Sequence, residues 1–287
     1  MTISKSAIRQ IAAELAMFGW KELLSCAFAG SFLLLMALSR HLTPAWLYRY
    51  DFLFLGALII QAALIALRLE TAREVLVLSA FHALGMGLEL FKTSPGVGSW
   101  AYPEPSVFHI ATVPLYSGFM YAAVASYMMQ AWRHLKLRLS GSPPQALAIA
   151  LCALIYANFF TNHFIPDLRW PLALGVLIAF RRSRVHFTPL KEERRMPLIL
   201  AFALIGFFIW LAENIGTYFG GWVYPHQLKA WAIVGPSKIS SWGLLVILSF
   251  IIVAALKRVA PPPAPPPLPS PASGEGEETV RYLAAPQ

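Results

Sequence analysis

The chain has 287 residues, of which 57% are hydrophobic and only 13% are charged, and its formal net charge is +9. Soluble globular chains carry about a quarter charged residues, so the composition argues against a soluble domain. The positive charge does not indicate nucleic-acid binding, because Lys and Arg collect in the cytoplasmic loops of membrane proteins. No arginine-rich stripe or aromatic stacking platform accompanies it. We expect the lipid bilayer, and no nucleic acid, as a partner.

The chain opens on a short lead-in and then alternates apolar segments with polar loops. Residues 1–20 contain Lys5, Arg9 and Glu14, which predicts an amphipathic segment at the membrane surface rather than a signal peptide. Eight apolar segments follow, and segments of this kind are typical of membrane-spanning helices. They cover residues 20–39, 51–67, 75–91, 113–132, 146–160, 170–180, 197–215 and 239–256. The predicted fold is an all-α polytopic membrane helix bundle of about eight spans.

The loop charges predict an orientation for this bundle. Most of the 23 Lys and Arg residues lie in the two terminal segments and in the loops at 68–74, 131–145 and 181–195. Positively charged loops stay in the cytoplasm, so both termini are predicted there. Residues 260–287 begin with a proline-rich run, which is typical of an extended, disordered tail. A solvated tail is the simpler interpretation, and a ligand for a proline-recognising partner is the alternative.

An irregular octet occurs twice in the chain. Residues 98–105 read GSWAYPEP and residues 220–227 read GGWVYPHQ. Glu89 and Glu213 precede the two octets at similar distances, and His41 and His163 each follow the first apolar segment of a half. This pattern predicts two parallel four-helix repeats, residues 1–132 and 133–259, related by an approximate two-fold axis along the membrane normal. Both octets are then extracytoplasmic, at the same end of the bundle.

Ionisable residues close to the octets are the candidates for chemistry. Glu89 and Glu213 lie near the ends of apolar segments, and such residues usually face the interior of a membrane bundle. His82 lies two helical turns before Glu89, on the same helix face. The repeat predicts that the two glutamates converge with His41 and His163. The sequence alone does not show that they face each other.

Three interpretations of this cluster remain open. The first is interfacial anchoring, in which Glu89 pairs with Lys92 one turn later. The second is an acid/base site on an apolar ligand, with Glu89, Glu213 and His82 as catalytic residues. The third is a metal site containing His41 and His163, since imidazole and carboxylate are common metal ligands. No motif in the chain identifies a cofactor.

Aromatic and cationic residues around the octets are the candidates for ligand binding. Their π-faces can stabilise a cation that develops on a bound ligand. The predicted ligand-binding residues are Trp100, Tyr102, Trp222, Tyr224, Tyr116, Lys92 and Lys238.

Several of these motifs resemble a known family. His82 with the segments LELFK (88–92), GSWAYPE (98–104), VPLYSGFMY (113–121), WLAENIGT (210–217) and KISSW (238–242) resembles the YoaT-like family of uncharacterised bacterial multi-pass membrane proteins. The resemblance implies a helical fold in the bacterial inner membrane and no known activity. The pattern of Glu213, Gly216 and Gly220 is more loosely similar to membrane carotenoid hydratases and small lycopene cyclases. That similarity implies a long apolar polyene and acidic residues that protonate an alkene.

The sequence therefore leaves three functions open. The first is an acid/base enzyme or binding protein for an apolar lipid or isoprenoid, of the carotenoid kind. The second is a small-molecule transporter or channel, because duplicated bundles are common among transporters. The third is a non-catalytic membrane scaffold whose basic loops and proline tail recruit a partner.

Overall fold

The protein is mostly helical. A computed structural model describes residues 5–258, with side chains from 8 to 254, and the predicted tail at 260–287 lies outside the described residues. The helices in this range are α1 (Lys5–Ser25), α2 (Ala27–Leu42), α3 (Arg49–Ala66), α4 (Ala72–Lys92), α5 (Ser117–His134), α6 (Gln145–Thr161), α7 (Arg169–Phe180), α8 (Leu198–Tyr218) and α9 (Ser237–Arg258). The helix α4 begins at a capping box between Thr71 and Glu74, which satisfies two of its free N–H groups.

Several helices are consistent with a membrane protein. The helices α3, α4, α8 and α9 are long and apolar enough to cross a bilayer, and α1 with α2 would add a fifth span as one bent pair. The apolar helices α6 and α7 are shorter. Every predicted apolar segment after the first contains one helix, while the number of eight spans stays a prediction.

The first predicted span, residues 20–39, is broken in the structure. The chain bends by 68° between α1 and α2, so residues 20–25 belong to α1 and not to the same straight helix as α2. Ser25 Oγ donates a hydrogen bond to the Lys21 carbonyl at 2.7 Å, a contact that often bends helices. Lys21 Nζ in turn donates to the Thr188 carbonyl at 2.8 Å. These polar contacts hold α1 against the loop that precedes α8.

The prediction of an all-α chain misses five short strands. β1 (His109–Ile110) pairs with β2 (Val113–Pro114), and β3 (Arg138–Ser140), β4 (Arg184–Phe187) and β5 (Arg194–Pro197) form an antiparallel three-stranded sheet. The three-stranded sheet lies in the basic loops before α6 and α8. Segments of two to four residues are too short for a sequence pattern of alternating burial to reveal them.

The helices pack in the same order in both halves of the chain. Consecutive helices pack as pairs, α2 with α3, α4 with α5, α6 with α7, and α8 with α9, and α2 packs on α5 as α6 packs on α9. Large apolar side chains on these helices face outward, while Glu89 and Glu213 are 2% and 3% exposed. Charged groups inside and apolar groups outside are the reverse of a soluble protein and suit a lipid environment.

Candidate functional site

The two octets contact each other through their backbones. Ala101 N–H donates to the Val223 carbonyl at 2.9 Å, and Val223 N–H donates to the Ala101 carbonyl at 3.0 Å. These two residues occupy the same position in their octets. Each octet begins with a glycine in the left-handed region, Gly98 at φ +52° and Gly220 at φ +72°, a conformation that residues with a Cβ rarely adopt. The glycines therefore allow the tight turns that bring the octets together.

The first octet surrounds Glu89 with aromatic donors. Trp100 Nε1 and Tyr102 OH each donate to Glu89 Oε2 at 2.7 Å. Tyr121 OH, on α5, donates to Oε1 at 2.8 Å. Both oxygens of this buried carboxyl group therefore accept hydrogen bonds, from side chains on two different segments, the first octet and α5.

The second octet binds Glu213 in a similar way. Tyr224 OH donates to Glu213 Oε1, and Trp242 Nε1, on α9, donates to Oε2 at 2.8 Å. Burial raises the pKa of Tyr224 well above its usual value, and burial raises that of Tyr102 in the same way. Both phenols therefore stay protonated as hydrogen-bond donors at neutral pH.

Three cationic side chains and a histidine lie beside this cluster. Lys238 Nζ lies 4.7 Å from the ring centroid of Tyr224 and 5.7 Å from that of Trp100. Lys92, which is predicted from sequence to pair with Glu89, instead places its Nζ 2.8 Å from His163 Nε2. Arg169 pairs with Asp167, with Nη2 and Oδ2 3.1 Å apart.

His163 remains neutral in this surrounding. Burial lowers its pKa, and the charges of Lys92 and Lys238 lower the pKa further. A neutral imidazole can accept the hydrogen bond that Lys92 offers. The cluster thus contains one imidazole acceptor beside two ammonium groups.

Residues of the first half hold the second octet in place. Arg49 at the start of α3 donates from Nε to Glu104 Oε2 at 2.7 Å, from Nη1 to the Phe219 carbonyl at 3.1 Å, and from Nη2 to the Gly220 carbonyl at 2.5 Å. Tyr116 OH donates to the Gly221 carbonyl. Tyr116 is fully buried and does not line the cavity described below, so the structure places it against the second octet.

A large cavity connects this cluster with the opposite end of the bundle. Its volume is about 940 Å³, and most of its lining is apolar. Glu89 and Glu213 both line it, and so do six of the seven predicted ligand-binding residues, all except Tyr116. At the far end the lining includes Glu22 and Tyr127, whose Oε2 and OH lie 2.8 Å apart. The size is within the range of small-molecule and cofactor pockets, and an apolar lining is typical of them.

The structure separates the predicted histidines. His163 lines the cavity, but His82 and His41 are not among the lining residues. His82 packs against Phe119 with ring centroids 4.6 Å apart, and its Nδ1 is buried without a hydrogen-bond partner. His41 is exposed at the end of α2. Across residues 5–258, no three side chains of His, Cys, Asp or Glu are grouped so that they can hold a metal ion.

Sequence reasoning did not select several polar residues of the cavity, among them Glu22, Arg169 and Trp242. Trp242 and Tyr121 lie in motifs of the family resemblance but were not among the predicted site residues. The signal for Trp242 and Tyr121 was their place on the helix after each octet, where a donor can reach back to the preceding glutamate. Arg169 begins α7, and nothing in its sequence context distinguishes it from a loop arginine.

Comparison with known proteins gives a family but no activity. The family described as "Protein of unknown function (DUF817)" matches residues 14–250. The "Uncharacterized protein YoaT" of Bacillus subtilis (strain 168) is 47% identical over 246 residues, which are 86% of this chain and 92% of that protein. No solved structure matches the chain.

Proposed function

We propose a function for this chain, which belongs to the DUF817 family: it is a multi-pass inner-membrane protein that holds a long apolar ligand. The ligand is a lipid or isoprenoid chain that occupies the cavity, with its polar end at the two octets. One observation carries the proposal, namely the apolar cavity of about 940 Å³ that ends at Glu89, Glu213 and their aromatic donors. Deep apolar pockets with a few convergent polar groups are the usual form of a ligand site.

The proposed membrane topology has eight spans in two parallel repeats with both termini in the cytoplasm. The identical order of helix pairs in the two halves supports the repeat. The backbone bridge between Ala101 and Val223 supports it as well, because a two-fold axis brings equivalent residues of two copies together. The loop charges support the orientation. On this proposal α6 and α7 complete the second half, although they are shorter than a typical span.

The site also suits a second candidate function, acid/base chemistry on the bound ligand. The observation that favours it is that Glu89 and Glu213 both line one cavity. All four carboxyl oxygens accept hydrogen bonds from aromatic side chains, but three of them accept only one and keep a lone pair for a proton of the ligand. Proton exchange is therefore compatible with the ligand binding that we propose first. If replacement of both glutamates by Gln leaves the lipid and pigment profile of an overexpressing strain unchanged, catalysis is refuted.

The binding proposal is tested by placing a large side chain in the cavity from one helix, α8. Ala201 and Ala203 both lie on α8, but Ala201 lines the cavity and Ala203 is exposed outside it. Ala201→Phe is expected to lower the amount of lipid that copurifies with the protein, measured by mass spectrometry after solvent extraction. Ala203→Phe is the matched control and should leave the amount unchanged.

Unfolding temperatures of both variants separate loss of ligand from loss of fold. If the two variants unfold like the wild type and retain equal amounts of the same lipids, the cavity is not the ligand site and the proposal is wrong. If no lipid copurifies with the wild type either, the proposal is also wrong.

A further inference from the structure

The polar end of the cavity contains the ammonium groups of Lys92 and Lys238. Lys92 is 5% exposed, and both Lys92 and Lys238 line the cavity. Over the part of the chain that the structure describes, neither lysine forms an ion pair, whereas Arg169 pairs with Asp167. Two ammonium groups that line one cavity without an ion pair favour the binding of an anion there.

The N–H donors of these lysines are only partly used. Lys92 has the imidazole of His163 as its acceptor. Lys238 contacts the faces of Trp100 and Tyr224, and among residues 8–254 it has no hydrogen-bond acceptor. An ammonium has three donors, and those of Lys238 border the open space of the cavity. A ligand atom in the cavity can therefore accept from Lys238.

The two glutamates do not compete for the ammonium groups. Their oxygens already accept from Trp100, Tyr102 and Tyr121 on one side and from Tyr224 and Trp242 on the other. Among the described residues, neither glutamate accepts a hydrogen bond from Lys92 or Lys238, although the charge of Glu213 still acts on Lys238. The N–H donors of the two lysines therefore remain available to a ligand in the cavity.

We infer that the ligand is an amphiphile with a single long apolar chain and an anionic head, carboxylate or phosphate, which binds between Lys92 and Lys238. This inference rests on the proposed function, because the chain of the amphiphile occupies the cavity described above. A neutral head would use the same donors without the attraction of charge, and a cationic head would be repelled. Hydrogen bonds to a charged group are about twice as strong as neutral ones.

The test compares four ligands that share one chain: hexadecanoate, hexadecyl phosphate, hexadecanol and hexadecylamine. Binding to the full-length protein in nanodiscs is measured by displacement of a brominated fatty acid that quenches tryptophan fluorescence. Hexadecanoate or hexadecyl phosphate should bind at least about tenfold more tightly than hexadecanol, which is the effect of one charge-assisted hydrogen bond. Which of the two binds better identifies the head as carboxylate or phosphate.

Three lysine variants test the site itself. Lys238→Gln should weaken binding of the anionic ligand about tenfold and weaken hexadecanol binding much less, while Lys238→Arg keeps the charge and should keep the affinity. Lys229 is an exposed lysine in the loop after the second octet, so Lys229→Gln is the matched control and should bind like the wild type.

The outcomes separate this inference from the proposed function. If hexadecanol binds as tightly as the anionic ligands and Lys238→Gln changes neither, the cavity holds an apolar chain but the anionic head is wrong. If none of the four ligands displaces the quencher, or if the quencher itself does not bind, the proposed function fails as well.

Discussion

Replacement of Glu89 by Leu tests whether the buried carboxyl group organises the first octet. The substitution leaves three donors, on Trp100, Tyr102 and Tyr121, without their acceptor. A buried donor that loses its partner costs about 1–3 kcal/mol, so three of them predict a loss of roughly 3–9 kcal/mol in the free energy of unfolding. Glu213 accepts from two donors, and Glu213→Leu should cost less, roughly 2–6 kcal/mol.

Glu89→Gln separates the hydrogen bonds from the shape of the side chain. Its carbonyl oxygen can still accept from Trp100 and Tyr102, and its amide can donate to Tyr121, whose hydroxyl group can turn to accept. The expected cost is about 1–2 kcal/mol, the loss of charge assistance alone. The order of stability is therefore wild type, Glu89→Gln, Glu213→Leu and Glu89→Leu.

The assay is thermal and denaturant unfolding of the purified protein in detergent, followed by near-ultraviolet circular dichroism. Glu192 is exposed, and Glu192→Leu serves as the control, with an expected change within about 0.5 kcal/mol. If Glu89→Leu unfolds with the same free energy as Glu192→Leu, the glutamate does not organise the octet and the reasoning is refuted.

Two further predictions concern packing and pH. Gly216→Ala should destabilise the protein and shift the fluorescence of Trp222, because the added Cβ would lie 2.5 Å from the Trp222 ring. At Gly87 an added Cβ meets no atom within 4 Å, so Gly87→Ala should instead stabilise α4 by up to about 1 kcal/mol. The pKa of His163 is lowered from 6.5 by burial and by two neighbouring lysines, so the unfolded chain takes up the proton more readily and stability falls as the pH drops below about 6.5. In His163→Gln the unfolding temperature should fall less as the pH decreases. If the unfolding temperatures of the variant and the wild type fall equally with pH, His163 is not the group responsible.

The sequence predicted the polar cluster because its signals were local and repeated. Glu89 and Glu213 stand near the ends of apolar segments, and the same aromatic residues follow each of them. A carboxyl group without hydrogen-bond donors is costly in an apolar environment. The octets contain the nearest possible donors in the sequence. The pairing of Tyr102 with Glu89 and of Tyr224 with Glu213 follows this logic.

The contacts that the sequence did not predict depend on how distant segments meet. His41 and His163 occupy corresponding places in the two halves, yet only His163 lines the cavity. Near the bend at Cys26, α1 contacts the loop before α8, which is far away in the chain. The partner of Lys92 is His163, which lies 71 residues away in the chain. From the sequence alone, the neighbouring Glu89 was the candidate partner.

The sequence differences between the two proposed repeats account for the presence of both lysines in one cluster. On the alignment of the two halves, Lys92 corresponds to Gly216 and Lys238 corresponds to Tyr116. Each lysine therefore comes from a position that differs in the other copy, whereas the glutamates and the octet tyrosines are common to both. The common residues hold the two octets together, and Gly216 and Tyr116 serve the packing of the second octet. Two copies with identical sequences would have their charged residues placed evenly about the two-fold axis. The two sequence differences instead place both ammonium groups in one cluster. On this proposal, the anionic head depends on the two positions, Lys92 and Lys238, at which the copies differ.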